Sequence, residues 1–430
     1  MTLRKPGYLP RVIDAKVEEY LGIFGALSIE GPKWCGKTWT SLNHANSVNY
    51  IMDPAGGYSN RERARLNPAL ALEGARPHLI DEWQEVPGIW DAVRFDIDKE
   101  QGTGKYILTG SVSPPRNEYS HSGTGRFAII RLRPMSLFES GDSLGIVSFG
   151  ALFHQESFKP FSADIALNRL VDVTVRGGWP EALSIPVRGA MRMPEEYLNL
   201  ISKNELFRSS DRKRNAAKLR KLLRSLARNN STTVNLSTLS LDANSGQGQT
   251  EAEITLSRQT TVEYLEDLKR IYVIEDIPGW MPEIRSKTRM RMAAKIIFAD
   301  PSLAIAALGL SSDRLIYDLN TFGFMFENLC LRDIFVYAEN MGGSVFHYRD
   351  NSNLEADAIV EMPDGAWGAF EIKLGEHQVE NAAASLRRLR DKMVLSGVHP
   401  PRCLCVITGG GYGRQRDDGI YVIPINALRP

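Results

Sequence analysis

Cysteine is scarce in this chain. The four that occur are Cys35, Cys330, Cys403 and Cys405, too few and too scattered for a disulfide framework. Cys403 and Cys405 have no second cysteine pair and no histidines at ligand spacing, so a zinc site is not expected. Buried, reduced thiols are the better reading. An excess of one charge is also missing: Lys and Arg exceed Asp and Glu by one, for a net charge of +1. No global field therefore advertises nucleic acid or membrane, and any such partner must be met by a local patch. No apolar run is long enough to cross a bilayer. Residues 1–14 lack the apolar core of a secretion signal. These absences point to the cytoplasm and to no membrane partner.

What remains is ordinary globular material. The chain has 430 residues, 43% hydrophobic and 24% charged, enough for two or three domains with a core in each. One stretch organises it. Ala26-Leu27-Ser28-Ile29-Glu30 reads as a short buried strand and runs into Gly31-Pro32-Lys33-Trp34-Cys35-Gly36-Lys37-Thr38, followed by Trp39 and a helical pattern. This is a strand, then G-x-x-x-x-G-K-T, then a helix start. Glycines let the backbone curl so that successive N–H groups face phosphate oxygens. The helix end adds its positive pole. In this arrangement residues 31–39 cradle ATP. Lys37 reaches the β- and γ-phosphates, and the Thr38 hydroxyl ligates Mg²⁺.

Further on, His78-Leu79-Ile80-Asp81-Glu82 is an apolar run that ends in two acids. In that pattern Asp81 holds Mg²⁺ through water and Glu82 polarises the attacking water. Tyr106-Ile107-Leu108-Thr109-Gly110-Ser111 is the next buried strand. Its terminal hydroxyls suit a γ-phosphate sensor lying between the phosphate loop and the Asp81 strand. Thr109 or Ser111 orients the water, or both simply cap the strand. Arg126 precedes the strand Phe127-Ala128-Ile129-Ile130. It is either a surface arginine or a finger on a neighbouring subunit's nucleotide in a homo-oligomer.

These motifs together resemble the AAA-superfamily P-loop ATPases of bacteria and archaea. The nearest likeness is the group whose C-terminal half is a domain of unknown function. The resemblance rests on residues 15–150. It implies an α/β fold, a RecA-like parallel sheet over residues 1–160; the helical pattern of residues 165–205 then suggests a helical lid over 161–210.

The remainder is read from pattern. Arg208 to Arg228 carries Arg212, Lys213, Arg214, Lys218, Arg220, Lys221, Arg224 and Arg228 against one acid, Asp211, with Leu219, Leu222, Leu223 and Leu226 at helical spacing. One face is buried and the other strongly positive, as a phosphate backbone of DNA or RNA requires, or it is a solvated face. Two helices and a hairpin with Arg285, Lys287, Arg289 and Arg291 near its tip give a winged-helix pattern over 211–312.

Residues 313–430 begin with a helix carrying Glu327, followed by strands through Asp357 and through Glu371-Ile372-Lys373. Period-two geometry puts Glu371 and Lys373 on one face. Paired with Asp357, they form the D…E-x-K signature of PD-(D/E)xK nucleases. Asp357 and Glu371 hold Mg²⁺, Lys373 activates water, and Glu327 supports the site. His347, His377 and His399 read as ordinary polar residues. The expected protein couples ATP hydrolysis to nucleic-acid work. The rival expectation is an ATP-dependent switch or scaffold whose C-terminal domain does not cut.

Overall fold

Near-continuous apolar runs make strands that are buried on both faces, and such strands assemble into parallel sheets. β1 (Ala26–Glu30), β3 (His78–Asp81) and β4 (Tyr106–Gly110) are such runs, and with the half-buried edge strands β2 (Ser47–Tyr50) and β5 (Phe127–Arg131) they form one sheet in the order β2-β3-β4-β1-β5. All pairings are parallel. The computed structural model describes residues 3–112, 123–205, 215–233, 235–244, 256–282 and 294–430. It divides into two compact units, Met1–Pro134 with Arg270–Tyr272, and Met135–Lys269 with Val273–Pro430.

In the first unit, β4 lies between the strand that feeds the glycine-rich loop and the strand that ends in Asp81. Thr109 is thereby in register with Ile29 on one side and Asp81 on the other. The helix Lys37–His44 starts after Gly36, whose φ of 100° is a left-handed value that only glycine adopts freely. Gly31 passes so close to β5's continuation that a Cβ would lie 2.1 Å from the Leu132 carbonyl oxygen. Beneath the sheet the Trp90 and Phe127 rings stack with centroids 3.9 Å apart, and Trp83 tilts against Trp90.

The second unit takes in residues 135–160, which the sequence pattern had placed at the end of the first domain. The reason lies in two very short strands. β6 (Val147–Ser148) and β7 (Phe161–Ser162) pair with strands at the far end of the chain, and two-residue strands leave no periodicity to read. Helices Leu167–Arg176, Val187–Ala190 and Arg192–Leu200 follow. Helix Ala216–Arg228 buries Leu219, Leu222, Leu223 and Leu226. Then come β8 (Thr232–Thr233), helices Leu236–Asn244 and Arg258–Arg270, β9 (Ile274–Ile277) and β10 (Lys295–Phe298). The three strands form an antiparallel sheet in the order β8-β10-β9. β9 begins at Ile274, two residues after Tyr272, which holds a left-handed φ of 61°. Arg208, Asp211, Arg212, Lys213, Arg214, Arg285, Lys287, Arg289 and Arg291 lie outside the described residues.

Helices Pro301–Leu308, Ser312–Tyr317 and Leu319–Asn340 lead into the last sheet. It comprises β11 (Ser344–Arg349), β12 (Glu355–Glu361), β13 (Trp367–Lys373), β14 (Cys403–Thr408), β15 (Tyr412–Gln415) and β16 (Tyr421–Pro424). With β7 it has the order β11-β12-β13-β14-β16-β15-β7, and β17 (Leu428–Arg429) pairs with β6. The helix Val379–Leu395 packs Val379, Ala383, Leu386 and Leu389 onto this sheet.

Candidate functional site

The glycine-rich loop is held from below and outside. The Arg11 guanidinium donates to the Cys35 carbonyl at 2.8 Å and to the Arg133 carbonyl at 2.8 Å. Lys37 is buried, and its ammonium donates to the Pro32 carbonyl within the loop at 2.8 Å. Trp34 and Trp39 are exposed, at 39% and 46%.

Across the mouth of this loop, Asp81 collects hydroxyls. Thr38 Oγ1 donates to Asp81 Oδ1 at 2.8 Å and Thr109 Oγ1 donates to the same oxygen at 2.6 Å. Burial raises the Asp81 carboxyl above its ordinary value, while the hydrogen bonds from Thr109 and Thr38 oppose that rise. Glu82 follows in a left-handed conformation, φ 59°. Its backbone N–H donates to Thr109 Oγ1 at 3.1 Å. Its side chain accepts from Ser111 Oγ at 2.9 Å, and Gln84 Nε2 donates to the same carboxylate oxygen. The structure thus brings together Lys37, Thr38, Asp81, Thr109, Glu82 and Ser111. Arg126 stands apart on a surface ion pair, its Nε 2.8 Å from Asp98 Oδ1 and its side chain 46% exposed.

Sequence reasoning missed the brace beneath the loop helix. The Tyr8 hydroxyl donates to both Asp14 oxygens, at 2.7 and 2.9 Å, and the Arg11 N–H donates to Asp14 Oδ2 at 2.8 Å. His44 Nε2, at the end of the loop helix, lies 2.9 Å from Asp14 Oδ1. Burial works against the Asp14 anion, but the His44, Arg11 and Tyr8 contacts win and hold its pKa below the ordinary value of 3.8. A depressed carboxyl contributes stability above its unfolded pKa and loses it as pH falls through the folded value. Asp14→Asn should therefore melt below wild type at pH 7, with the gap closing as pH drops below about 4. Thermal melts across pH 7 to pH 3 read this directly, and a gap independent of pH would refute it.

A second constellation lies in the C-terminal sheet. β12 and β13 pair Ala358 with Phe370. Lys373 Nζ lies 3.2 Å from Asp357 Oδ2 and 2.6 Å from Glu371 Oε2. The Ile372 N–H donates to Asp357 Oδ2 at 2.7 Å. Glu327, from the helix Leu319–Asn340, accepts from Lys295 Nζ of β10 at 2.6 Å. Lys295 is the member that sequence reasoning missed, since it reads there as an ordinary residue of a strand.

Burial pushes Glu371 up to about 8, helped by Asp357 and opposed by Lys373. Burial also pushes Glu327 up to about 7 against the pull of Lys295. Asp357 goes the other way: burial resists its ionisation, but the Lys373 and Lys295 ammoniums hold it below the usual range. Among the described residues no group of three or more His, Cys, Asp or Glu is arranged to hold a metal. The oxygen chemistry is right for Mg²⁺, but ammonium groups stand on these carboxylates. As arranged, the cluster does not fit a divalent ion.

Comparison with known proteins agrees with the loop geometry. Residues 24–140 match the family model described as an AAA domain, so the chain carries a P-loop AAA-type domain. Residues 167–314 and 322–428 match two domains of unknown function, DUF8612 and DUF4143. Uncharacterised proteins of Mycobacterium bovis and Mycobacterium tuberculosis are each 24% identical over 385 residues, covering 86% of this chain and 76% of the relative. Among solved structures, a Walker-type ATPase of Pyrococcus abyssi is 14% identical, with a TM-score of 0.41 over 71% of this chain and 97% of that one. The ORC2 protein of Aeropyrum pernix is 12% identical, with a TM-score of 0.30 over 75% and 96%. No helix among the described residues is long and apolar enough to cross a membrane.

Proposed function

We propose that the first unit binds Mg²⁺–ATP and hydrolyses it, and that the remainder of the chain turns the nucleotide state into action on nucleic acid. One observation carries the ATPase reading. The Thr38 and Thr109 hydroxyls converge on one Asp81 oxygen at 2.8 and 2.6 Å, at the mouth of a loop with the curl and helix start that polyphosphate needs. A hydroxyl beside a carboxylate is a fitting donor set for a hard cation. Thr38 would hold Mg²⁺ directly and Asp81 would hold it through water. Bound there, the ion would neutralise charge on the β- and γ-phosphates.

Each protein group then has a task. Lys37 would exchange the Pro32 carbonyl for phosphate oxygens. The amides of residues 31–39 would orient the polyphosphate. Glu82 would take the proton of the attacking water, and Ser111 would position that carboxylate. Arg126 would act on the nucleotide of a neighbouring subunit, exchanging its Asp98 partner for phosphate. Lys37→Ala should weaken ATP binding by about 10- to 100-fold, the worth of a charge-assisted contact. Equilibrium binding of a fluorescent ATP analogue measures it, and unchanged affinity would remove the site assignment.

In the second unit the order helix, strand, two helices, two strands, with β10 between β8 and β9, supports a winged-helix reading. There the helix Arg258–Arg270 would meet a groove of DNA or RNA. The faces of β12 and β13 support a nuclease-like reading of Asp357, Glu371 and Lys373, with Glu327 beside them. A second reading, a nucleotide-dependent switch whose last domain does not cut, is favoured by the ammonium groups seated on those carboxylates.

A further inference from the structure

The carboxylates around Asp357 have ammonium partners among the described residues. Three carboxylates, Glu327, Asp357 and Glu371, face two ammoniums, Lys295 and Lys373. Lys373 belongs to the E-x-K pattern of β13. Lys295 does not. It comes from β10, a strand of the separate three-stranded sheet, where it stands in register with Thr233 on one side and Ile277 on the other.

Its placement is expensive. The Lys295 side chain is 10% exposed and Glu327 14%, and burying an ammonium is strongly unfavourable unless a close anion compensates. Glu327 compensates at 2.6 Å. The neighbouring charges that act on Lys295 are Asp357 and Glu355, both of which favour the ammonium. An apolar residue at 295 would have filled the strand more cheaply. A lysine there makes sense as the counter-charge of an acidic cluster.

Lys295, added to the lysine of the E-x-K pattern, makes the cluster a poor host for metal. A divalent ion needs carboxylate oxygens turned toward a common point, and Mg²⁺ demands near-octahedral geometry. Here Asp357 Oδ2 is shared between the Ile372 N–H and Lys373, Glu371 Oε2 is taken by Lys373, and Glu327 Oε1 is taken by Lys295. An incoming dication would also meet the Lys295 ammonium, 10% exposed, with little water to screen it.

We propose that Lys295 is a built-in cation that closes the Glu327–Asp357–Glu371 cluster to divalent metal. With that ammonium in place the cluster is not set up for metal-dependent cutting. This deepens the nuclease-like reading of the cluster and rests on it.

The test is Mn²⁺ titration of the nucleotide-free full chain by calorimetry and by electron paramagnetic resonance. Lys295→Met should bind Mn²⁺ about tenfold or more tighter than wild type, since affinity follows the uncompensated ligand charge. Asp357→Asn in the same background should remove that site. Plasmid nicking should appear in Lys295→Met with Mn²⁺ and disappear on adding Lys373→Ala. If Lys295→Met does not fold, Lys295→Gln carries the test, because its amide still hydrogen-bonds Glu327. Equal Asp357-dependent binding in wild type and variant would overturn the closure and leave the nuclease-like reading standing. No binding in either folded protein would overturn both.

Discussion

Glu82→Gln should leave ATP bound and almost unhydrolysed, with steady-state phosphate release down by about 10²–10⁴-fold, the usual worth of a positioned general base. The substitution is nearly isosteric, so what changes is basicity. Glu82 is fixed at both ends. Its N–H is tied to Thr109, and its carboxylate is held by Ser111 and Gln84. The left-handed backbone at φ 59° turns the side chain sharply away from the strand direction, a strained conformation for a residue with a Cβ. Strain of this kind is kept where the surroundings over-determine it. A glutamine in the same place accepts from Ser111 through its carbonyl and leaves the fold intact. ATP affinity within about twofold of wild type is therefore expected, since Glu82 contributes nothing to the phosphate cradle. Phosphate release at the wild-type rate would show that another group takes the proton, and the roles given to Glu82 and Ser111 would then be withdrawn.

The loop was legible because its chemistry is contiguous. Eight consecutive residues carry the curl, the ammonium and the hydroxyl, and the glycine at φ 100° sits where the pattern demands it. The place of β4 between β1 and β3 was legible, since apolar runs that end in hydroxyls or acids mark the carboxyl ends where a phosphate site lies. The face shared by Glu371 and Lys373 followed from period two alone, and Lys373 does reach Asp357. What escaped reading is what depends on long separations. Arg11 meets carbonyls 24 and 122 residues away, and Asp14 meets His44 30 residues on. Lys295 and Glu327 are 32 residues apart on elements of different type. No local period connects such pairs. Each looks like a surface charge until the fold closes around it.

The costliest such network predicts the largest loss of stability. Arg332→Ala should destabilise the second unit by about 3–5 kcal/mol, because it strands two buried carboxylates. The Arg332 side chain is 1% exposed and its partners Asp300 and Asp333 are at 0%. Arg332 donates to Asp300 Oδ2 at 2.8 Å, and its Nε and second terminal nitrogen donate to Asp333 Oδ1 at 3.0 and 2.8 Å. The acids hold backbone in turn. Asp300 caps the helix Pro301–Leu308 through the Ser302 N–H and accepts from the Gly178 N–H, while Asp333 Oδ2 accepts from the Leu137 N–H. Burial already pushes Asp333 up to about 6 with the guanidinium in place. Without it, Asp333 must protonate or remain as unpaired charge in the interior, so the variant should be weakest above pH 6 and recover partly below it. Lysine cannot rescue the site fully, since it lacks the planar fork that spans two carboxylates at once. Urea unfolding of the full chain at pH 7 and pH 5 measures both effects. A midpoint unchanged at pH 7 would mean that the triad carries no net stability. In contrast, a loss that Asp300→Asn with Asp333→Asn largely restores would identify the stranded charges as its cause.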